Sequence, residues 1–422
     1  MKRVIQTFSV VVICLFTLSV FGWLSVHVSK GDKDFGFLNG PVEFMYSFLD
    51  QFEESVEEVQ EISPTFIKTP ENHAPVNKLQ EDLNVLVSYS ATDYKRHVVI
   101  KNLRNDSVIH HWAIKQVFSN HDRLLHPIHF PNMDLIYQVY MKPDIKRIDA
   151  DGNEIWSQDS IVGHHAMTMD SQGMLWVCSG KPPAWSSTGK FKIFGRTVYF
   201  MDDYITQLDP ETGRIHYNKS IGEIFMENDM TSYLLHSQSG QDPLHLNDIQ
   251  PALKTTKYYN EGDLFISLKQ ISLIFQYRPS TGEVIRAIKG PFSAQHDVDF
   301  LNDSTLTWFN NNYYALWTED SNAKPGNPES VKEYADMFSN IIQYDFATEE
   351  FSFIGDSVFR ANWLFTANEG LHEFINDSTY FVEQQNQGYL WVIQNDKVIY
   401  KDVFQSQHEG YHHLPNWYRI IK

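Results

Sequence analysis

A chain of 422 residues with 42% hydrophobic and 14% aromatic content can bury a large core, which excludes a disordered polymer. Its 53 acidic and 34 basic residues leave a formal charge of -19, which excludes a broad basic surface, so no nucleic-acid partner is expected. Only two cysteines occur, Cys14 in an apolar terminus and Cys178 after a strand-like run, so no disulfide framework is expected.

Lys2-Arg3 precede an uncharged run from Val4 to about Val28. That length matches a bilayer-spanning helix, and the basic flank predicts a cytoplasmic N-terminus. Residues 1–28 are therefore expected to be a signal anchor, a transmembrane helix that holds the main domain outside the cytoplasm, periplasmic or extracellular. A cleaved, secreted form is the alternative, although no Ala-x-Ala-like site follows the run. Residues 29–75 read as a polar juxtamembrane link and an amphipathic helix. From Pro41 to Glu61, Val42, Met45, Leu49, Phe52, Val56 and Val59 recur at helical spacing, with Glu53, Glu54, Glu57 and Glu58 opposite.

Residues 76–422 read as one β-rich domain. Short strand-like runs, such as 85–89, 97–100, 174–177 and 389–393, alternate with turn units. Ile148-Asp149-Ala150-Asp151-Gly152, Met169-Asp170-Ser171-Gln172-Gly173, Leu208-Asp209-Pro210-Glu211-Thr212-Gly213 and Arg278-Pro279-Ser280-Thr281-Gly282 each precede a strand-like run. The triplets Asn105-Asp106-Ser107, Asn302-Asp303-Ser304 and Asn376-Asp377-Ser378 read the same way. Asp, Asn and Ser bond local backbone and Gly accepts positive φ, so these units suit hairpin turns. Blades of about 40 to 50 residues then predict an all-β propeller of six or seven blades, six being the expectation. Two β-sandwiches are the alternative. Ile221 to about His236, and Pro328 to about Ile342 with Asn327 as cap, are expected as short helical insertions.

Three histidines stand out: His165 in Gly163-His164-His165, His245 in Pro243-Leu244-His245-Leu246-Asn247, and His296 in Gln295-His296-Asp297 at the head of a strand-like run. Inner strands of a propeller converge on one axis, so these distant residues can share a funnel. Neutral imidazole is a competent nucleophile or acid/base near pH 7. The bland reading of each is a structural imidazole near a strand end, and strand alternation sends only one of His164 and His165 inward. Asn247 and Asp297 can orient imidazoles or satisfy turn backbone. The clusters His110-His111, His126-Pro127-Ile128-His129 and His412-His413 match no metal motif and read as exposed, so no metal ligands and no cofactor are assigned. Glu369-Gly370-Leu371-His372 reads as surface packing or a contribution to an acceptor pocket. Trp308, Tyr313, Tyr314, Trp317 and Trp363 read mainly as blade core.

Together with Asp170-Ser171-Gln172-Gly173 and Ser267-Leu268-Lys269-Gln270, the three histidine segments resemble, in order, the arylsulfate sulfotransferase family. The resemblance implies a propeller enzyme that moves sulfuryl groups from an aryl sulfate donor to a phenolic acceptor through a sulfohistidine. It implies His296 as nucleophile, with His245 and His165 also catalytic in binding sulfate oxygens and moving protons. Lys269 and Asn247 are the implied substrate-binding residues, and no nucleotide sulfate donor is called for. Lys269 stands where the family commonly has arginine, whose two aligned donors a lysine lacks. A non-enzymatic propeller that binds a ligand or protein through its funnel is the competing reading. A homodimer is compatible with either.

Overall fold

The computed structural model describes residues 2–30, 35–38, 41–42, 65–91, 95–114, 122–182, 188–193, 195–237, 239–313 and 338–421. The chain divides into two compact units, Met1–Ser63 and Pro64–Lys422. In the first, Lys2–Lys30 forms helix α1, along which Val12, Ile13, Phe16, Leu18 and Trp23 are exposed. Among the described residues no helix is long and apolar enough to cross a membrane, so the transmembrane helix expected over 1–28 is not borne out. The apolar run does form a helix, with Thr17 and Ser19 hydroxyls donating to the Ile13 and Leu15 carbonyls at 2.9 Å. Beyond Val42 the amphipathic helix expected to reach Glu61 lies outside the described residues.

The second unit is a six-bladed β-propeller. Blade 1 takes its inner strand, Asn416–Ile421, from the chain end and its outer strands from Asn84–Ser90, Arg96–Asn102 and Val108–Ala113. This pairing of Asn416–Ile421 with Asn84–Ser90 closes the ring between blades 6 and 1. Blade 2 runs Leu124–His129, Leu135–Val139, Ile145–Ile148 and Glu154–Gln158; blade 3 runs Val162–Met169, Leu175–Gly180, Tyr204–Leu208 and Ile215–Ser220. Blade 4 is Leu246–Pro251, Leu264–Leu268, Leu273–Arg278 and Glu283–Ile288; blade 5 is His296–Asn302, Thr305–Asn310, Asn340–Asp345 and Phe351–Ile354. Blade 6 comprises Leu371–Asn376, Thr379–Gln384, Tyr389–Gln394 and Lys397–Val403, with Val76–Asn77 added at its edge.

The turn units act as their composition predicts. Asp149, Asp170 and Asp209 accept backbone N–H groups two residues on at 2.9–3.0 Å, and Gly152, Gly173, Gly213 and Gly282 hold φ of 69–75°. The 221–236 insertion is two pieces, α2 at Ile221–Glu227 and a 3-10 turn at Thr231–His236, parted where Asp229 takes φ 57°. Ser220 caps α2 by accepting the Glu223 N–H at 3.0 Å. The second expected helix falls mostly on 314–337, outside the described residues, and its last residues from Asn340 are strand. A hairpin, Thr188–Ile193 with Arg196–Met201, and helix α3, Asp356–Ala361, carried no sequence expectation. Trp308 is fully buried as expected of blade core, whereas Trp363 is 70% exposed; Tyr314 and Trp317 are outside the described residues.

Two devices shape the axis. Five inner strands bulge near their entry, at Leu125/Ile128, Gly163/Met167, Leu246/Asp248, His296/Val298 and Asn416/Arg419. His126, His165, Asp297 and Trp417 within these bulges take φ of 43–57°. A bulge re-aims side chains, here by breaking the strict alternation of the strand. The second device offsets the unpaired edge of the innermost strands. Inner-strand N–H groups donate to carboxylates of the preceding blade: Leu246 to Asp203 (2.8 Å), Val298 to Asp248 (2.5 Å), His372 to Asp297 (2.6 Å), Ile420 to Glu373 and Tyr418 to Glu383 (both 3.1 Å). Buried and half-buried carboxylates thus stitch blades 3 to 6 and then blade 1 together.

Gly163 gives a direct test of the blade 2 and blade 3 contact. A side chain there would run into the Gln138 carboxamide, whose Nε2 donates to the His165 carbonyl at 2.5 Å. Gly163→Ala is expected to lower stability by about 1–3 kcal/mol through overpacking, read as a lower urea midpoint. An unchanged midpoint would show that Gln138 can move at no cost.

Candidate active site

The three histidines meet. The His165 ring centroid lies 5.0 Å from that of His245 and 6.2 Å from that of His296, and Trp417 of blade 1 stands 6.2 Å away at an edge. The entry segments of blades 3, 4 and 5 deliver one imidazole each.

His296, 3% exposed, opens the inner strand of blade 5. Its Nδ1 lies 3.0 Å from the Ala294 carbonyl and 2.7 Å from Asn311 Oδ1. A carbonyl oxygen only accepts, so Nδ1 carries the proton and the Nε2 lone pair of the neutral ring is left uncommitted. Asn311 is itself oriented by Nδ2 donation to the carbonyls of Thr366 (2.8 Å) and Glu369 (2.6 Å). Burial, and then the charge of Lys269, push His296 down to about 3, so the ring is neutral in the physiological range.

His165 resolves the ambiguity of its pair. It faces the other two imidazoles, and His164 stands behind it with Nδ1 2.9 Å from the His165 Nδ1 and Nε2 3.3 Å from Asp203 Oδ1. Burial holds His165 well below its ordinary value, helped by the charges of His245 and His164. His245 is backed directly, with Nδ1 2.5 Å from Asp242 Oδ2. The carboxylate fixes the ring with its Nδ1 as the donor, as a positioned acid/base requires.

Lys269 is half-buried beside the histidines. Its Nζ donates to Asn368 Oδ1 at 2.5 Å and its backbone N–H to the His245 carbonyl at 3.0 Å. Burial lowers its pKa, while Glu369 and Asp242 oppose that shift. Asn247 is buried and donates Nδ2 to the Gln295 carbonyl at 2.6 Å, so it holds the peptide that leads into His296. Gln295 is in turn fastened to blade 4 through Ser267 Oγ at 2.9 Å.

Several contributors carry no sequence expectation. Arg123 of the segment before blade 2 binds Glu369 through Nη2–Oε1 (2.8 Å) and Nη1–Oε2 (3.2 Å), donates to Asn416 at 3.2 Å, and lies over Tyr140. Asn311, Asp242 and Asn368 are polar residues in irregular segments, where nothing in spacing marks them. The Glu369–His372 segment is not surface packing: Glu369 takes Arg123, and His372, 1% exposed, bonds Asp297 and Thr307. His126, His412 and His413 are buried rather than exposed, because bulged and closing strands carry them inward.

Below the imidazoles the inner strands enclose a cavity of about 270 Å³ lined by Asp248, Asp297, Asp299, Glu373 and Arg419, with His126 on its wall. Burial pushes Asp248 up to about 8 and holds Asp297 and Asp299 above the usual carboxylate range.

No curated protein matches the chain. Solved structures with a similar course include a protein of unknown function from Bacteroides caccae, at 10% identity, TM-score 0.46, and 76% of this chain against 93% of that one. A streptogramin B lyase shows 14% identity, TM-score 0.39, and coverage of 81% and 88%. Kuenenia stuttgartiensis hydrazine synthase shows 10% identity, TM-score 0.41, and coverage of 80% and 81%. A sequence model of one family, arylsulfotransferase (ASST), matches residues 100–405.

Proposed function

The chain belongs to the arylsulfotransferase family, and on that premise we propose that it transfers a sulfuryl group from an aryl sulfate ester to a phenol through His296. The observation that carries the reading is the Nδ1 lock on His296 by Ala294 and Asn311, which leaves Nε2 as a buried nucleophile beside the Lys269 cation. In the first half-reaction the Nε2 lone pair bonds to sulfur and the sulfur to aryl-oxygen bond breaks. The departing phenolate takes a proton from His245, whose ring Asp242 steadies. In the second, an acceptor phenol returns a proton to that imidazole as its oxygen bonds to sulfur and the nitrogen to sulfur bond breaks. Lys269 offsets the charge on the sulfuryl oxygens throughout.

Phenol release from an aryl sulfate, followed with and without a second phenol and with no nucleotide added, tests this reading. Parallel double-reciprocal plots are expected. Reversible binding of the aryl sulfate with no release in any condition would favour the binding propeller instead.

The ionisation of His296 supplies a second expectation. Its folded value lies below its unfolded one, so the ring stays neutral as pH falls from 8 to 5 and protonates only near 3. The ring nitrogen shifts of His296 in nitrogen-15 NMR are expected to stay constant over that window, and a midpoint between 6 and 7 would contradict the buried setting.

Location of the propeller outside the cytoplasm is part of the proposal. It is supported by Lys2-Arg3 ahead of the apolar run.

A further inference from the structure

We infer that Arg123 is a positioning residue for the proposed sulfuryl transfer: by gripping the Glu369 carboxylate it fixes the segment that holds Lys269 and His296, and keeps that carboxylate from neutralising Lys269. The inference rests on the function proposed above and adds to it a residue that acts through its partners rather than on the substrate.

Residues 366–370 run between α3 and the inner strand of blade 6 and meet the site at two points. Asn368 Oδ1 accepts the Lys269 Nζ donor at 2.5 Å. The carbonyls of Thr366 and Glu369 accept Asn311 Nδ2 at 2.8 and 2.6 Å. With its amide nitrogen so committed, Asn311 presents Oδ1 to His296 Nδ1, 2.7 Å away. This short segment therefore sets both the place of the cation and the tautomer of the nucleophile. It lies outside any strand, and Glu369 and Gly370 take φ of 59° and 91°. Side chains hold it instead of a ladder. Asn386 Oδ1 accepts the N–H groups of Ala367 (2.9 Å) and Asn368 (3.2 Å), and Arg123 takes the other end at Glu369.

The first consequence of the Arg123 grip is geometric. Its bonds to Glu369, Nη2–Oε1 at 2.8 Å and Nη1–Oε2 at 3.2 Å, fix direction as well as distance. Asn416 Oδ1 of blade 1 takes a further contact from Nη1 at 3.2 Å, so the guanidinium turns these donors to the chain's own oxygens. The second consequence is charge. Burial lowers the pKa of Lys269, and Glu369 is the carboxylate that opposes this most. Asp242, the other, is engaged by His245. Without Arg123, a Glu369 carboxylate only 14% exposed would close on Lys269, and a paired ammonium has little charge to offer sulfuryl oxygens. With Arg123 in place, Lys269 rests on a neutral amide oxygen and keeps its charge for the substrate.

The full chain is compared with Arg123→Gln, Glu369→Gln and the double variant, by kcat/KM toward an aryl sulfate and by the titration of Lys269 in carbon-13 NMR of methylated lysines. Arg123→Gln is expected to lower kcat/KM about tenfold or more, a share of the loss expected when the cation is removed outright. It is also expected to raise the Lys269 midpoint by about one pH unit. Glu369→Gln is expected to lower that midpoint, a readout that stands even where Arg123→Gln does not fold. The double variant, which holds neither charge, is expected to return both quantities close to the unmodified values, within about fivefold in kcat/KM. A lowered melting temperature with the Lys269 midpoint unmoved in both single variants would make Arg123 merely structural and overturn the inference. A double variant as impaired as Arg123→Gln would overturn it as well. The titration involves no transfer chemistry, so it separates the two readings. If the unmodified chain moves no sulfuryl group, shifted midpoints still establish the hold of Arg123 on Lys269; if it does, unmoved midpoints remove that hold and leave the transfer standing.

Discussion

Replacing His296 by alanine is expected to lower sulfuryl transfer by about four orders of magnitude or more, because the group that bonds to sulfur is removed and no neighbour can take its place. His165 and His245 come from other blades, and each is tied behind its own ring, to His164 and to Asp242. Neither can swing into the position that Ala294 and Asn311 reserve for His296. The substitution leaves the Asn311 carbonyl oxygen and the Ala294 carbonyl without their shared donor, which destabilises the protein by about 1–3 kcal/mol. A melting curve therefore accompanies the assay. His296→Asn, which restores an N–H donor but no nucleophilic nitrogen, is expected to regain stability and not activity. Activity within tenfold of the unmodified chain in either variant would remove His296 from the chemistry.

Lys269→Met is expected to reduce kcat/KM by about 10²–10³-fold, the usual loss when one charge-stabilising donor is removed from a water-poor site. The magnitude follows from proximity: the charge of the half-buried ammonium is close enough to depress both His296 and His165. Methionine retains the length of the stem, so packing is largely kept. Removing the charge is also expected to raise the pKa of His296 from its low value, which ring nitrogen shifts can follow while activity is lost. Lys269→Arg separates charge from geometry. The Asn368 contact at 2.5 Å fits a compact ammonium, and a planar fork would have to displace it. A loss of about tenfold on this change would mean that the site is built around lysine, whereas a gain would mean that two aligned donors serve the sulfuryl group better. Activity unaffected by Lys269→Met would place the cation outside the reaction.

The propeller was legible because its signals are local. Asp149, Asp170 and Asp209 carry the side-chain acceptors their turns need, and the glycines after them supply positive φ, so the spacing of blades can be counted along the chain. The convergence of His165, His245 and His296 was legible for a related reason, since strand entries of successive blades share an axis. What escaped depends on distant backbone. Asn311 matters because carbonyls of Thr366 and Glu369 hold it, and Asp242 because a left-handed His245 turns its ring back three residues. Arg123 reaches Glu369, 246 residues away in sequence, across blade 1. The burial of the channel acids escaped as well: a sequence shows Asp248, Asp297 and Glu373 as charges, and only the edges of closed-up inner strands turn them into acceptors for backbone N–H groups. The exposed Trp363 failed in the opposite direction, because aromatic content alone does not say on which side of α3 a ring ends.

The central claim is that His296 carries the sulfuryl group, and intact-protein mass spectrometry after acid-free quenching of the chain with an aryl sulfate tests it most directly. In the absence of acceptor, one added SO₃ group is expected, located on His296 by fragmentation, absent from His296→Asn, and discharged when a phenol is supplied. Rapid phenol release with no adduct on any histidine, or an adduct that survives the acceptor unchanged, would contradict the account.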